Sequence, residues 1–273
     1  PMWSNNDDLS KVLVELIEKI CSIDEIDAIG ISMTAELVDA YDTKKEGVLD
    51  IVEKCENTFN CPIGYVGLDG ILTKDEIEKD PLNAAAANWI ATCEIATLIS
   101  DNCIFIDTGS TTTDIIPIKN GKQCAIGNSD FERLATGELV YTGTLRTNLA
   151  SFLEKVPFNG NEYRVASELF AQTADVFIVL DLIDESDYVC DTFDGEGKSK
   201  IECMRRIARV LCADMDLLSE RDIVKTGLGK DILDKKAAEL LNLEVKSMDN
   251  ILSDEECVVA PAIGTAIMMN KTL

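Results

Sequence analysis

An apolar run, Cys103-Ile104-Phe105-Ile106, leads directly into the polar octapeptide Asp107-Thr108-Gly109-Ser110-Thr111-Thr112-Thr113-Asp114, and Ile115-Ile116-Pro117-Ile118 resumes extended structure. This pattern predicts strand, polar turn and strand, with Asn120-Gly121 then turning the chain into a further strand over Gln123 to Ile126. A glycine beside hydroxyl residues between two strands lets backbone amides and side-chain oxygens converge on phosphate oxygens. The flanking carboxylates, Asp107 and Asp114, could hold Mg²⁺ through water. The competing reading is a polar β-turn whose threonines are there for strand propensity.

The surrounding elements favour an α/β protein. Apolar residues Leu9, Val12, Leu13, Leu16, Ile17 and Ile20 recur at helical spacing, and Ala28 to Met33 reads as a buried strand. Thr43 with Glu46 has the form of a capping box opening a helix to about Phe59, followed by a strand from Pro62 to Gly67. Asp80-Pro81 starts a further helix whose body is Ala84 to Ile99. Ser199 and Glu202 cap a helix with Ile201, Met204, Ala208, Leu211, Met215 and Leu218 as one apolar stripe. The small residues after Pro261 predict a last helix packed tightly on another. Such alternation predicts a covered, at least partly parallel sheet.

Composition narrows the partners. Fifty acidic against 25 basic residues give a net charge of -25, which opposes binding to nucleic acid or an anionic membrane. The same field repels phosphorylated ligands, so a phosphate site must be built locally. The start, Pro1-Met2-Trp3-Ser4-Asn5, is not a secretory signal, and a cytoplasmic protein is expected. Ten cysteines occur without a C-x-x-C pair, and most read as reduced core thiols. With no histidine in the chain, acid–base chemistry falls to Asp, Glu, Tyr, Lys, Cys or water.

Several further segments carry candidate chemistry. Thr226, Gly227 and Gly229 sit where a strand-to-helix turn lets a nucleotide approach the backbone. Gly137 to Thr147 offers Glu138, Tyr141 and Arg146, of which the guanidinium can take a phosphate or carboxylate bidentately; a Glu138–Arg146 ion pair is the alternative. Asp175 opens an apolar helix as either a catalytic acid or a helix-terminal one. Asn88 is an unusual amide in an alanine-rich helix. Asp194 to Ser199 lacks the spacing of a phosphate loop and reads as a surface turn, leaving Lys198 as a candidate ligand for the distal end of a substrate. Glu36 ends a strand without an assigned role.

In this order, the Asp-x-Gly turn, the Thr-Gly-x-Gly turn and the final Gly264-Thr265-Ala266 helix resemble the acetate and sugar kinase, actin and heat-shock ATPase superfamily. That resemblance implies two ribonuclease-H-like lobes closing on a cleft, here residues 1–128 and 129–273. Ala86 to Trp89, Asp107 to Asp114, Ala135 to Thr147 and Gln172 to Val176 are more closely similar to the archaeal hydantoinase A and oxoprolinase-related proteins of methanofuran biosynthesis. This similarity implies a transferase that joins an aminomethylfuran methyl diphosphate to γ-glutamyltyramine, forming an aryl ether and releasing diphosphate. Asp107 and Asp114 would hold Mg²⁺, and Gly109, Ser110, Thr111, Thr112 and Thr113 would bind phosphate. Glu138 or Asp175 would take the phenol proton, Asn88, Tyr141, Arg146 and Lys198 would contact substrate, and ATP would not be required. An ATP-dependent kinase, an oxoprolinase-like hydrolase and a non-catalytic actin-like protein are the alternatives. No Asp-x-Gly-Gly loop precedes Trp3 and almost no strand precedes Thr226, so segments are expected to be missing before Pro1 and between Ile223 and Val224.

Overall fold

The computed structural model describes residues 9–34, 40–158, 160–215, 246, 248, 251–253, 256–257 and 259–273. Glu36, Thr226, Gly227, Gly229 and the Ile223–Val224 junction lie outside the described residues. Contacts divide the mixed α/β chain into two units, one of Pro1–Phe105, Ile116–Glu138 and Lys246–Leu273, the other of Ile106–Ile115 and Leu139–Val245. Among the described residues no helix is long and apolar enough to cross a membrane. All ten cysteines are free, but only Cys55, Cys93 and Cys203 are fully buried, fewer than the core role expected of most of them.

The first unit starts with helix α1 (Leu9–Ile17) and the short strand β1 (Ile29–Ile31). Helix α2 (Lys44–Thr58) begins where Thr43 accepts a hydrogen bond from the Glu46 N–H at 3.1 Å, as the capping pattern predicts. Strand β2 (Ile63–Gly67) lies parallel to β1 and antiparallel to β3 (Gly70–Leu72), so the sheet is partly parallel. Helix α3 (Lys74–Lys79) follows.

The helix expected from Asp80 to Ile99 is broken. Pro81–Ala84 forms a 3₁₀ turn, Ala86 adopts a φ of 50°, and helix α4 starts only at Asn88 and runs to Ile99. A left-handed residue cannot continue a right-handed helix, so Asn88 occupies a first turn rather than a helix interior.

Strands β4 (Asn102–Thr108), β5 (Thr113–Lys119) and β6 (Lys122–Gln123) form the second sheet in the order β4-β5-β6, with β7 (Leu139–Val140) also on β5. The Asn120-Gly121 turn has φ values of 54° and 68°, the positive pair that a tight hairpin needs. Strand β6 is Lys122–Gln123 alone, shorter than expected: Cys124 N–H still donates to Pro117 O, but the Ala125 N–H donates to the Gln123 side chain. Helix α5 (Asp130–Thr136) completes this stretch.

Helix α8 (Ala260–Asn270) closes the first unit by lying on α4 and β1. The approach is close: a Cβ on Gly264 would stand 1.8 Å from the Ala91 carbonyl oxygen, and one on Gly30 2.8 Å from Thr265 Cγ2. Ala91 O belongs to helix backbone and cannot move aside alone. Gly264→Ala is therefore expected to destabilise the protein by about 1–3 kcal/mol, seen as a lower urea midpoint. An unchanged midpoint would mean that the two helices do not meet at this distance.

In the second unit, β8 (Lys155–Phe158) and β9 (Asn161–Arg164) form a hairpin that the reading of the sequence missed, although Asn159-Gly160 was its signal. Helix α6 (Thr173–Val179) is buried along its whole length. Helix α7 (Lys200–Val210) is capped by Ser199 and Glu202 as predicted, but ends earlier and turns a different face inward. Cys203, Arg206, Ile207, Ala208 and Val210 are buried while Ile201 is 59% exposed, so of the expected apolar stripe Ala208 faces inward, Ile201 does not, and Leu218 lies outside the described residues. The reason is Arg206, whose partners lie inside the unit.

Candidate functional site

The polar octapeptide forms the turn between β4 and β5. Gly109 N–H donates to the Thr112 carbonyl at 2.9 Å, closing the turn, and Thr113 Oγ1 lies 3.4 Å from Thr108 Oγ1 across the strands. Asp107 and Asp114 are the next residues outward along the two strands, and both side chains are partly exposed. Gly109 and Ser110 are exposed, with Ser110 Oγ and Thr111 Oγ1 3.4 Å apart. A Cβ at Gly109 would meet only Thr112 O at 3.6 Å, so local packing leaves room over this residue.

A second segment supports the turn. Thr144 N–H donates to Gly109 O at 2.9 Å, and Leu145 and Arg146 N–H donate to Ser110 O at 3.0 and 2.9 Å. Thr113 Oγ1 donates to Thr142 O at 2.7 Å, while β7 pairs Thr113 with Val140 and Asp114 with Leu139. The Gly109 and Ser110 carbonyls thus face residues 144–146, and among the described residues the Ser110, Thr111 and Thr112 N–H groups donate to no backbone carbonyl. Gly143 lies flat against the turn: its Cβ would stand 2.5 Å from Thr111 N, leaving no room for a side chain.

The third segment holds the second. Thr173 Oγ1 donates to Gly143 O at 3.0 Å, and Gly143 N–H donates to Thr147 Oγ1 at 2.8 Å. The Thr173 and Ala174 N–H groups, in the first turn of α6, donate to Thr147 O and Leu145 O at 2.9 and 3.1 Å. The loop at 143–147 therefore satisfies helix-end donors that would otherwise lack partners.

Asp175 is fully buried, at 0% exposure. Its Oδ2 accepts from Gln172 N–H at 2.9 Å, and its Oδ1 accepts from Arg206 Nε at 2.8 Å and from Tyr188 OH at 3.0 Å. Gln172 Nε2 donates to Tyr188 OH and to Asp191 O, both at 2.8 Å, and Arg206 continues to Asp194 and Gly197 O at 3.0 Å. Burial pushes the Asp175 carboxyl above its usual value, against the pull of the Gln172 amide, Arg206 and Tyr188. Burial works against the Arg206 cation too, but Asp175 outweighs it and raises the guanidinium above its ordinary value.

Other expected site residues are placed as follows. Tyr141 is 57% exposed. Arg146 is also exposed, its backbone tied to Ser110. Lys198 donates its amine to Tyr188 O and lies 5.1 Å from the centre of that ring. Asn88 and Glu138 belong to the first unit. Glu138 is 7% exposed and accepts from Ile126 N–H (2.6 Å), Gly127 N–H (2.9 Å) and Thr136 Oγ1 (2.8 Å). Burial raises its pKa, but the Gly127 and Ile126 amides, Thr136 and Arg133 outweigh that and hold it below the usual value. No Glu138–Arg146 ion pair is formed among the described residues; Arg133, stacked 4.3 Å over Trp89, is the cation near Glu138.

Asp107 to Asp114, Tyr141 to Thr147 and Thr173 to Asp175, far apart in sequence, thus meet in one hydrogen-bonded assembly. Of the residues that anchor it, Gln172 entered the sequence reading only within the Gln172 to Val176 segment, and Tyr188 and Arg206 were not singled out. Among the described residues no three Asp, Glu or Cys side chains converge as a metal set. Two carboxylates on adjoining strands nonetheless suit Mg²⁺, which takes hard oxygen donors and keeps several of its waters.

The model of the hydantoinase/oxoprolinase family matches residues 27–256. A (4-{4-[2-(gamma-L-glutamylamino)ethyl]phenoxymethyl}furan-2-yl)methanamine synthase of Methanocaldococcus jannaschii is 42% identical over 253 residues, 92% of this chain and 73% of that protein. A protein of the same name from Methanococcus vannielii is 38% identical over 213 residues, 64% of this chain and 94% of that one. Matches of this extent mean that the chain is an enzyme and belongs to the hydantoinase/oxoprolinase family.

Proposed function

We propose that this chain is a transferase that forms an aryl ether by displacing diphosphate from an aminomethylfuran methyl diphosphate with the phenol of γ-glutamyltyramine, a step of methanofuran biosynthesis. The product named for both relatives contains this phenoxymethyl-furan linkage. In the finer architecture we propose, the chain contributes to two ribonuclease-H-like lobes. The observation that carries the reading is the Gly109–Thr112 turn, with Gly109 and Ser110 exposed and, among the described residues, the Ser110, Thr111 and Thr112 amides donating to no backbone carbonyl, bracketed by Asp107 and Asp114.

The phenol oxygen forms a bond to the methylene carbon, the carbon–oxygen bond to diphosphate breaks, and its electron pair leaves with the diphosphate. Ser110, Thr111 and Thr112 hold phosphate oxygens, and the room over Gly109 admits them, while the Thr113 hydroxyl, donated to Thr142 O, braces the turn. Asp107 and Asp114 would hold Mg²⁺, which when bound neutralises charge growing on the leaving group. Without such a local cation a chain of net charge -25 would repel its own substrate. Arg146, exposed beside the turn, takes a substrate carboxylate or phosphate, and Tyr141 and Lys198 of the same unit add substrate contacts. Asp175 and Glu138 already accept three hydrogen bonds each from buried or nearby donors, so the phenol proton passes more readily to water or a diphosphate oxygen. Most of the acceleration then comes from positioning and from stabilising the leaving charge.

Incubated with both substrates and Mg²⁺ but no ATP, the protein is expected to release one diphosphate per ether formed. Chelation should stop the reaction and Mg²⁺ restore it. A strict need for ATP, with orthophosphate release, would favour a kinase or oxoprolinase-like reaction instead.

A further inference from the structure

Asp175 and Arg206 form an ion pair at 2.8 Å with both side chains at 0% exposure, an expensive arrangement for a fold to hold unless it fixes something. A continuous run of hydrogen bonds leads from it to the exposed turn. Asp175 receives the Gln172 N–H and so sets where α6 begins. The first turn of α6 then grips the 143–147 loop through the Thr173 and Ala174 amides and the Thr173 hydroxyl. That loop in turn holds the Gly109 and Ser110 carbonyls and presses Gly143 against Thr111 N. Every link is backbone or a buried side chain with little rotational freedom, so a shift at α6 has no slack in which to dissipate before reaching the turn.

We infer that Thr173, anchored by the buried Asp175–Arg206 pair, is a positioning residue: its hydroxyl fixes Gly143 beneath the Ser110–Thr112 turn and thereby sets how tightly that turn holds a diphosphate. This rests on the reading that the turn takes the diphosphate of the substrate. Asp175 acts at a distance from the reacting atoms, as the anchor of the turn. Thr173 is the best place to test the link because Val has nearly the same shape: the 3.0 Å hydrogen bond to Gly143 O is lost together with a long one from Thr147 N–H at 3.4 Å, and Gly143 O keeps only Thr147 Oγ1 at 3.3 Å as a hydroxyl donor.

Binding of inorganic diphosphate with Mg²⁺ should be measured calorimetrically for the wild-type protein, Thr173→Val, Thr173→Ser and the double variant Ser110→Ala/Thr111→Val, together with kcat and both KM values. Thr173→Val is expected to weaken diphosphate binding and raise the KM of the diphosphate substrate by about tenfold, the effect of one lost hydrogen bond. The KM of the phenol should hold, and Thr173→Ser should restore the wild-type values. A thermal melt identifies any variant that loses structure, and a purely structural role for Thr173 would lower Tm without this split in KM. If the double variant loses diphosphate but Thr173→Val binds as the wild type does, the positioning role is overturned alone. If the double variant binds diphosphate as well as the wild type, the turn is not the site and both readings fall.

Discussion

Asp107→Asn is expected to lower kcat/KM by about 10²–10³-fold, the loss typical when one group that stabilises growing charge in the transition state is removed. Asparagine keeps the size and strand position of the residue but removes the charge that would hold a cation beside the leaving diphosphate. Asp107 and Asp114 flank the Thr108–Thr113 contact on neighbouring strands. A drop in rate that exceeds any change in Tm separates chemistry from damage. Full activity in Asp107→Asn would remove this carboxylate from the mechanism.

The largest expected loss of stability is at Arg206. Arg206→Met leaves Asp175 buried with its charge uncompensated, removes one of the donors to Asp194 and takes the guanidinium from Gly197 O, which should destabilise the protein by about 3–5 kcal/mol. Asp175→Asn combined with Arg206→Met should cost less than the sum of the two single changes, because the second removes the charge that the first leaves stranded. Denaturant unfolding of the four proteins gives the cycle. A loss below about 1 kcal/mol for Arg206→Met would mean that the pair is not sealed from water as described.

The contrast between Asp107 and Asp175 explains what the sequence could and could not disclose. Turn and strand around Asp107 were legible because they depend on neighbours in the chain: apolar runs, a glycine, hydroxyls and the Asn120-Gly121 hairpin. The caps of α2 and α7 were legible for the same reason. Asp175 was recognisable as the start of a helix, but its partners Tyr188 and Arg206 lie 13 and 31 residues further on, and no periodicity reports on them. Arg206 in particular looks like a solvent-facing residue of an amphipathic helix, and that is why the inward face of α7 was misjudged. The break at Ala86 was hidden in a run of alanines, whose helix propensity is overridden by a single positive φ. Glu138 was read as chemistry when its own loop supplies three donors to satisfy it.

The connectivity of the first unit bears on how the chain matures. Its Lys271–Glu94 contact joins residues 177 positions apart, and α8 reaches α4 only after the whole of Leu139–Val245 has intervened. Contacts of such sequence separation form late and slow folding, so α4 and the sheet β1-β2-β3 must wait with the surface that Gly264 and Met269 later cover. During that interval the second unit, whose own segments are mostly contiguous, can assemble first. Loop-closure entropy grows only logarithmically, by about 0.6 kcal/mol for each doubling of length. Lineages can therefore lengthen or shorten the stretch between Glu138 and Lys246 at little cost to the first unit, provided the last helix still returns to α4.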